Sequence, residues 1–180
     1  GQDHADSGHF NIYYKGPLTV TSGIYEGTGG GYNSDHDREY LKRSVSGNTM
    51  LVYDPSEQFS YYGDPKGNDG GQRMVNSGRE PDNLTDIMTN GYETGEVLAH
   101  EIGPFETNPE YAYIKGDLTK AYSEKVTGYT RSMVYLNLFD ADHPVSLLAF
   151  DNITSSDPTF DKTWLLHMVD EPVIDDNETT

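Results

Sequence analysis

Arg131-Ser132-Met133-Val134-Tyr135-Leu136-Asn137-Leu138 is the stretch that decides the fold class. Met133 and Tyr135 point one way, and Val134, Leu136 and Leu138 the other, which is the two-residue period of an extended strand. Working outward, the same alternation recurs. Phe10, Ile12 and Tyr14 share one face of a predicted strand, Gly16-Pro17 makes a turn, and residues 18–21 return. Further strands are predicted over 50–53, 97–102, 111–115, 145–150 and 163–168, with a short helical turn over 83–88. Between them lie a Gly-rich loop at 27–31, a polar stretch at 32–39 and a long excursion over 54–82. Loops of that length in a compact domain are usually functional. Strands are closely spaced, and neither a long helical period nor an internal repeat interrupts them. The expected fold is all-β, an antiparallel β-sandwich in one domain.

Composition agrees with an ordered, turn-rich chain. Of 180 residues, 12% are aromatic and 19 are Gly, whereas disordered acidic chains are poor in aromatics. Asp and Glu number 30 against 12 Lys and Arg, a net charge of -18. Such a surface repels nucleic acid and anionic lipid, so neither is an expected partner. No apolar run approaches the roughly 20 residues a spanning helix needs. Cysteine is absent, which excludes disulfides, thiolate metal sites and a Cys nucleophile. The motif-rich text starts at residue 2, and the chain stops at Asn177-Glu178-Thr179-Thr180, which reads as the start of a strand. Residues 1–180 are therefore expected to be a single incomplete β-domain.

The densest chemical cluster is Gln2-Asp3-His4-Ala5-Asp6-Ser7-Gly8-His9-Phe10. In a strand, His4, Asp6 and Gly8 would share a face, and a His two residues from a carboxylate can ligate a metal or act as an oriented base. A solvated strand end is the simpler reading. Arg43, Arg73 and Arg79 are scarce cations able to hold carboxylate or sulfate groups, or to pair with local acids. Asp64-Pro65-Lys66-Gly67-Asn68-Asp69-Gly70 has the outline of a calcium loop, but Lys66 stands where an acidic ligand is needed. Asn83, Asn152 and Asn177 begin sequons that read most simply as turn residues. His100 and His167 are expected on strands, and Trp164, alternating with Leu166 and Met168, in the core.

The run from His4 through Ile12-Tyr13-Tyr14-Lys15-Gly16-Pro17-Leu18 resembles the heparinase II/III family of polysaccharide lyases, where His-x-His-x-Asp-x-Gly-x-Phe precedes Ile-Tyr-Tyr-Lys-Gly-Pro. The likeness continues through Ser22 to Gly27, Gly30 to Ser34, Val52 to Pro55, Asn68 to Arg73, Ile114 to Thr119 and Trp164 to His167, colinear over nearly the whole chain. It implies a secreted or periplasmic bacterial enzyme that cuts a 1,4-linked uronic-acid polysaccharide, a heparan-like glycosaminoglycan first among them, by β-elimination. It also implies an N-terminal α-helical toroid as the domain's missing partner and source of cationic surface.

Carried over position by position, the resemblance makes Tyr32 the proton donor and candidate base, with Tyr25 in support. Gln2 falls where the family has its first His; it can donate to a substrate carboxylate but cannot act as a base. Arg73, Arg43 and Asn48 are the expected substrate-binding residues. The family's zinc site implies His4 as a ligand. However, Thr21 replaces the family's Asp, and Gly47 replaces its His; neither supplies a zinc ligand of that kind. The alternative is a carbohydrate-binding or structural module with a degenerate site, supported by 14 Tyr and these lost positions.

Overall fold

The computed structural model describes residues 4–23, 31–89, 91–175 and 178–179. In chain order the strands are β1 (Ile12–Tyr13), β2 (Pro17–Thr19), β3 (Met50–Tyr53), β4 (Phe59–Tyr61), β5 (Asp64–Lys66), β6 (Glu96–Gly103), β7 (Tyr111–Asp117), β8 (Val126–Asn137), β9 (Val145–Ser155), β10 (Asp161–Trp164), β11 (Ile174–Asp175) and β12 (Glu178–Thr179). One short helix, α1 (Leu84–Thr89), precedes β6. Every pairing among these strands is antiparallel. The chain is all-β, as its alternation predicts.

The centre is a four-stranded sheet in the order β6-β7-β8-β9. Its register places His100, Ile114, Met133 and Ala149 in one row across the strands, on the same face as Ile102, Tyr135 and Leu147. The β3–β10 ribbon lies against the inner end of that face. Met50 and Val52 turn inward from β3 and pack with Leu118, Ala121, Tyr122, Val126 and Tyr129. Tyr122 and Tyr129 meet edge-on at 5.7 Å, and the Tyr122 hydroxyl donates to Met50 O at 2.6 Å. Toward its outer end the sheet is bare: Ile102 is 54% exposed on one face and Phe150 68% on the other. Among the described residues, no other sheet exceeds two strands.

Several local expectations are corrected. Residues 4–9 bend and turn instead of running as a strand, with His9 N–H donating to Asp6 O at 2.8 Å. The polar stretch contains a wide helical turn, Asp37–Leu41, closed by Lys42 N–H on Asp37 O. The long excursion holds the β4–β5 hairpin. Tyr62 and Gly63, at φ 53° and 91°, form its two-residue turn, matching the pair of positive φ values such tight hairpins require. Strand β10 ends at Trp164; Leu165 N–H still donates to Thr49 O in the β3 register, but His167 N–H leaves it for the Asn48 side chain. His167 is therefore outside a strand. Trp164 is 43% exposed, its Nε1–H donating to Asp151, so it borders the core without filling it.

Candidate functional site

Tyr32 is held at the mouth of a short loop that the helical turn locks in place. Asn33, at φ 63°, donates its N–H to the Asp37 carboxylate at 2.9 Å, and Asp37 N–H donates to Ser34 Oγ at 3.1 Å. This leaves Tyr32 58% exposed. Beneath it is Lys42, which is buried. Its Nζ stands 4.7 Å from the Tyr32 ring centroid, donates to the Tyr61 hydroxyl at 3.0 Å and lies 3.3 Å from Asp37 Oδ2. Burial alone would push the Lys42 ammonium down. The Tyr61 hydroxyl and the Asp37 carboxylate outweigh that and hold it above the usual lysine range. The result is a fixed cation under an exposed phenol ring, a geometry that desolvation strengthens.

His4 is tied next to the Lys42 backbone, because Ala5 N–H donates to Lys42 O at 2.8 Å. It lines a cleft of about 120 Å³ with Arg73, Tyr92 and Thr94. Gly78 links this cleft to the Tyr32 side: it lines the cleft and also sits against the buried Tyr61 ring. Arg73 is half-buried, its Nε donating to Lys120 O at 2.6 Å and its Nη2 to Gly91 O at 2.5 Å. His4 and Arg73 thus share one cleft, and Tyr32 is connected to it only through Lys42, Tyr61 and Gly78. Gln2 and Tyr25 lie outside the described residues.

Arg43 and Asn48 face the interior. Arg43, 1% exposed, pairs with Asp69 at 2.6 Å and lies 4.4 Å from the Phe59 ring. Asn48, 0% exposed, donates from Nδ2 to Phe10 O at 2.7 Å and accepts His167 N–H at 2.6 Å. The Asp64–Gly70 segment is tied by its own side chains: Asn68 accepts from Gly70 N–H and Asp69 from Gly71 N–H. Arg79 is exposed, its guanidinium 5.8 Å from the Tyr62 ring centroid.

The two positions read as lost zinc ligands converge on His9, not on His4. Thr21 Oγ1 is 3.0 Å from His9 Nε2, and a Cβ on Gly47 would meet His9 Nδ1 at 3.4 Å. Asn48 N–H already occupies that Nδ1 at 2.8 Å. Both ring nitrogens of His9 are committed to protein groups, and Thr21 offers only a neutral hydroxyl, so this donor set does not fit a zinc ion. Among the described residues, His, Asp and Glu side chains form no group of three arranged to hold a metal.

Lys42, Tyr61 and His9 were not singled out from the sequence. His9 follows Gly8 in the motif, but its role depends on Thr21 and Asn48, which are brought to it only by folding. Tyr61 left only a weak trace: it alternates with Phe59, but Tyr62-Gly63 is not one of the Asn-Gly or Asp-Gly pairs that announce a tight hairpin. No family model matches the chain, and no curated protein matches it.

Proposed function

We propose that this chain is part of a polysaccharide lyase of the heparinase II/III type, with Tyr32 as its proton donor. The observation that carries the reading is the exposed Tyr32 phenol above the buried Lys42 ammonium at 4.7 Å, at the place in the motif where that family has its catalytic tyrosine. The reaction is elimination across C4 and C5 of a uronic acid. A base removes the C5 proton, its electron pair forms the C4–C5 double bond, and the C4–O bond to the leaving sugar breaks. Tyr32 gives its phenolic proton to the departing oxygen; in a variant route the same oxygen, deprotonated, first takes the C5 proton. Lys42 is a positioning residue that fixes the ring of Tyr32.

The rest of the reading follows from the same resemblance. The β-sandwich is completed by further strands over the bare outer sheet, and a helical domain supplies the opposite wall of the cleft. The cleft formed by His4 and Arg73, at about 120 Å³, is well below the roughly 300 Å³ at which small-molecule sites begin. A helical wall also offsets the net charge of -18, which repels an acidic polymer. The enzyme works in the periplasm or outside the cell.

A non-catalytic carbohydrate-binding module is the second reading. It is favoured by the inward-facing Arg43 and Asn48, and by Tyr13, 75% exposed and free to stack on a sugar face. The deciding experiment incubates the chain, extended to its helical domain, with uronic-acid polymers and follows the ultraviolet absorbance of unsaturated product. Product appearance favours the lyase; saturable glycan binding without product favours the module.

A further inference from the structure

The cleft beside His4 differs from the rest of this acidic molecule. The described residues that line it include Ser7, Gln72, Arg73, Tyr92, Thr94 and His4, and none of its described lining is Asp or Glu. The Arg73 guanidinium is held rigid by three backbone carbonyls, those of Lys120, Gly91 and Glu93. Carbonyls orient a cation without neutralising it. The nearest acid along that loop, Glu93, directs its carboxylate to Lys120 at 2.9 Å instead. Burial holds the Arg73 guanidinium below its usual range, and among the described residues no acidic neighbour offsets that. Within the described residues, Nη1 of Arg73 makes no hydrogen bond.

Two more donors are available at the same cleft. Ser7 Oγ donates to Thr94 Oγ1 at 2.8 Å, so the Thr94 hydroxyl retains its own proton to give. His4 presents an imidazole with a ring N–H. A half-buried, uncompensated guanidinium with a hydroxyl and an imidazole beside it is the donor set for a single oxyanion. The volume of about 120 Å³ has room for one such group.

We infer that the cleft lined by Arg73, Thr94 and His4 is an anion site that takes one carboxylate or sulfate group of an acidic ligand. The inference stands on this geometry alone and holds whether or not Tyr32 turns substrate over. It is tested by titrating the chain with sodium glucuronate, sodium sulfate and neutral glucose, followed by two-dimensional proton–nitrogen NMR. Saturable shifts of the Thr94 amide and the His4 ring with either anion, and none with glucose, are expected. The tighter anion tells a planar from a tetrahedral group. Arg73→Met and Thr94→Val should each weaken binding by roughly tenfold, the loss of one charge-assisted contact. Thr94→Val keeps the side chain's shape and leaves the carbonyls around Arg73 held, so it tests the site even if Arg73→Met does not fold. Absence of saturable shifts with both anions, or unchanged affinity in Thr94→Val, would overturn the inference.

Discussion

The ring Nδ1 of His9 accepts the backbone N–H of Asn48 at 2.8 Å. A nitrogen that accepts carries no proton, so the ring proton is on Nε2 and goes to the Thr21 hydroxyl at 3.0 Å. His9 is neutral in the folded chain. This contact is one of several that join the N-terminal motif to the segment before β3, and it sets the first prediction.

Burial holds His9 below its ordinary value of 6.5; Asp6 opposes the shift, while His167 and Arg131 add to it. His167 is likewise pushed down by burial. Below 6.5 the unfolded chain therefore binds protons that the folded chain refuses, and stability rises with pH through that window. The contribution is fully present above 6.5 and is lost as pH falls toward the depressed folded values. Urea midpoints measured across that window should drop on acidification, and His9→Asn should flatten the slope. An equal slope in the variant would refute the assignment.

Asn48→Ala removes the bonds to Phe10 O and His167 N–H at a position with 0% exposure. Leaving those groups buried and unpaired should cost about 3 kcal/mol. Chemical denaturation checks it, and a loss under about 1 kcal/mol would mean the backbone re-pairs with water.

Asp151 accepts from Arg131 at 2.8 and 2.9 Å, from Tyr129 at 2.9 Å and from the chain's single Trp, Trp164, at 2.9 Å. Removing one partner of a buried ion pair leaves the other charge uncompensated, at a cost of about 3–5 kcal/mol. Asp151→Ala should unfold the chain at markedly lower denaturant, and tryptophan emission should report a changed Trp164 environment in the folded state. Unaltered emission would place Trp164 away from Asp151.

Gly78 has φ +75°, and a Cβ there would fall 2.3 Å from the Tyr61 ring. Gly78→Ala should therefore destabilise by well over the ~1 kcal/mol of backbone strain alone. Gly16→Ala, with open space around it, is the comparison. Equal thermal midpoints for the two variants would contradict the close Tyr61 packing that carries Lys42.

The sheet was legible because β3 and β6 to β9 alternate, and burial on one strand face requires that period. Met50–Tyr53 matches its expected limits, and β8 and β9 extend the expected strands by several residues. The N-terminal motif was misread as a strand because His, Asp and Ser at residues 4–9 satisfy a turn as readily as a strand end. Tyr32 is a candidate only through its place in a motif, since an exposed Tyr leaves no trace in periodicity. Lys42, which organises the site, was invisible for a different reason: its partners Asp37, Tyr61 and Tyr32 come from three separate segments, and charge count alone cannot pair them.

The most direct test is the elimination rate of the chain extended to the helical domain that the lyase reading requires, compared with its Tyr32→Phe variant. The assay follows ultraviolet absorbance on whichever uronic-acid polymer yields product. Tyr32 is exposed, so the variant should keep its denaturation midpoint while kcat falls by about 100-fold or more, the scale of a lost proton donor. A folded Tyr32→Phe variant that turns over at the unaltered rate would contradict Tyr32 as the proton donor.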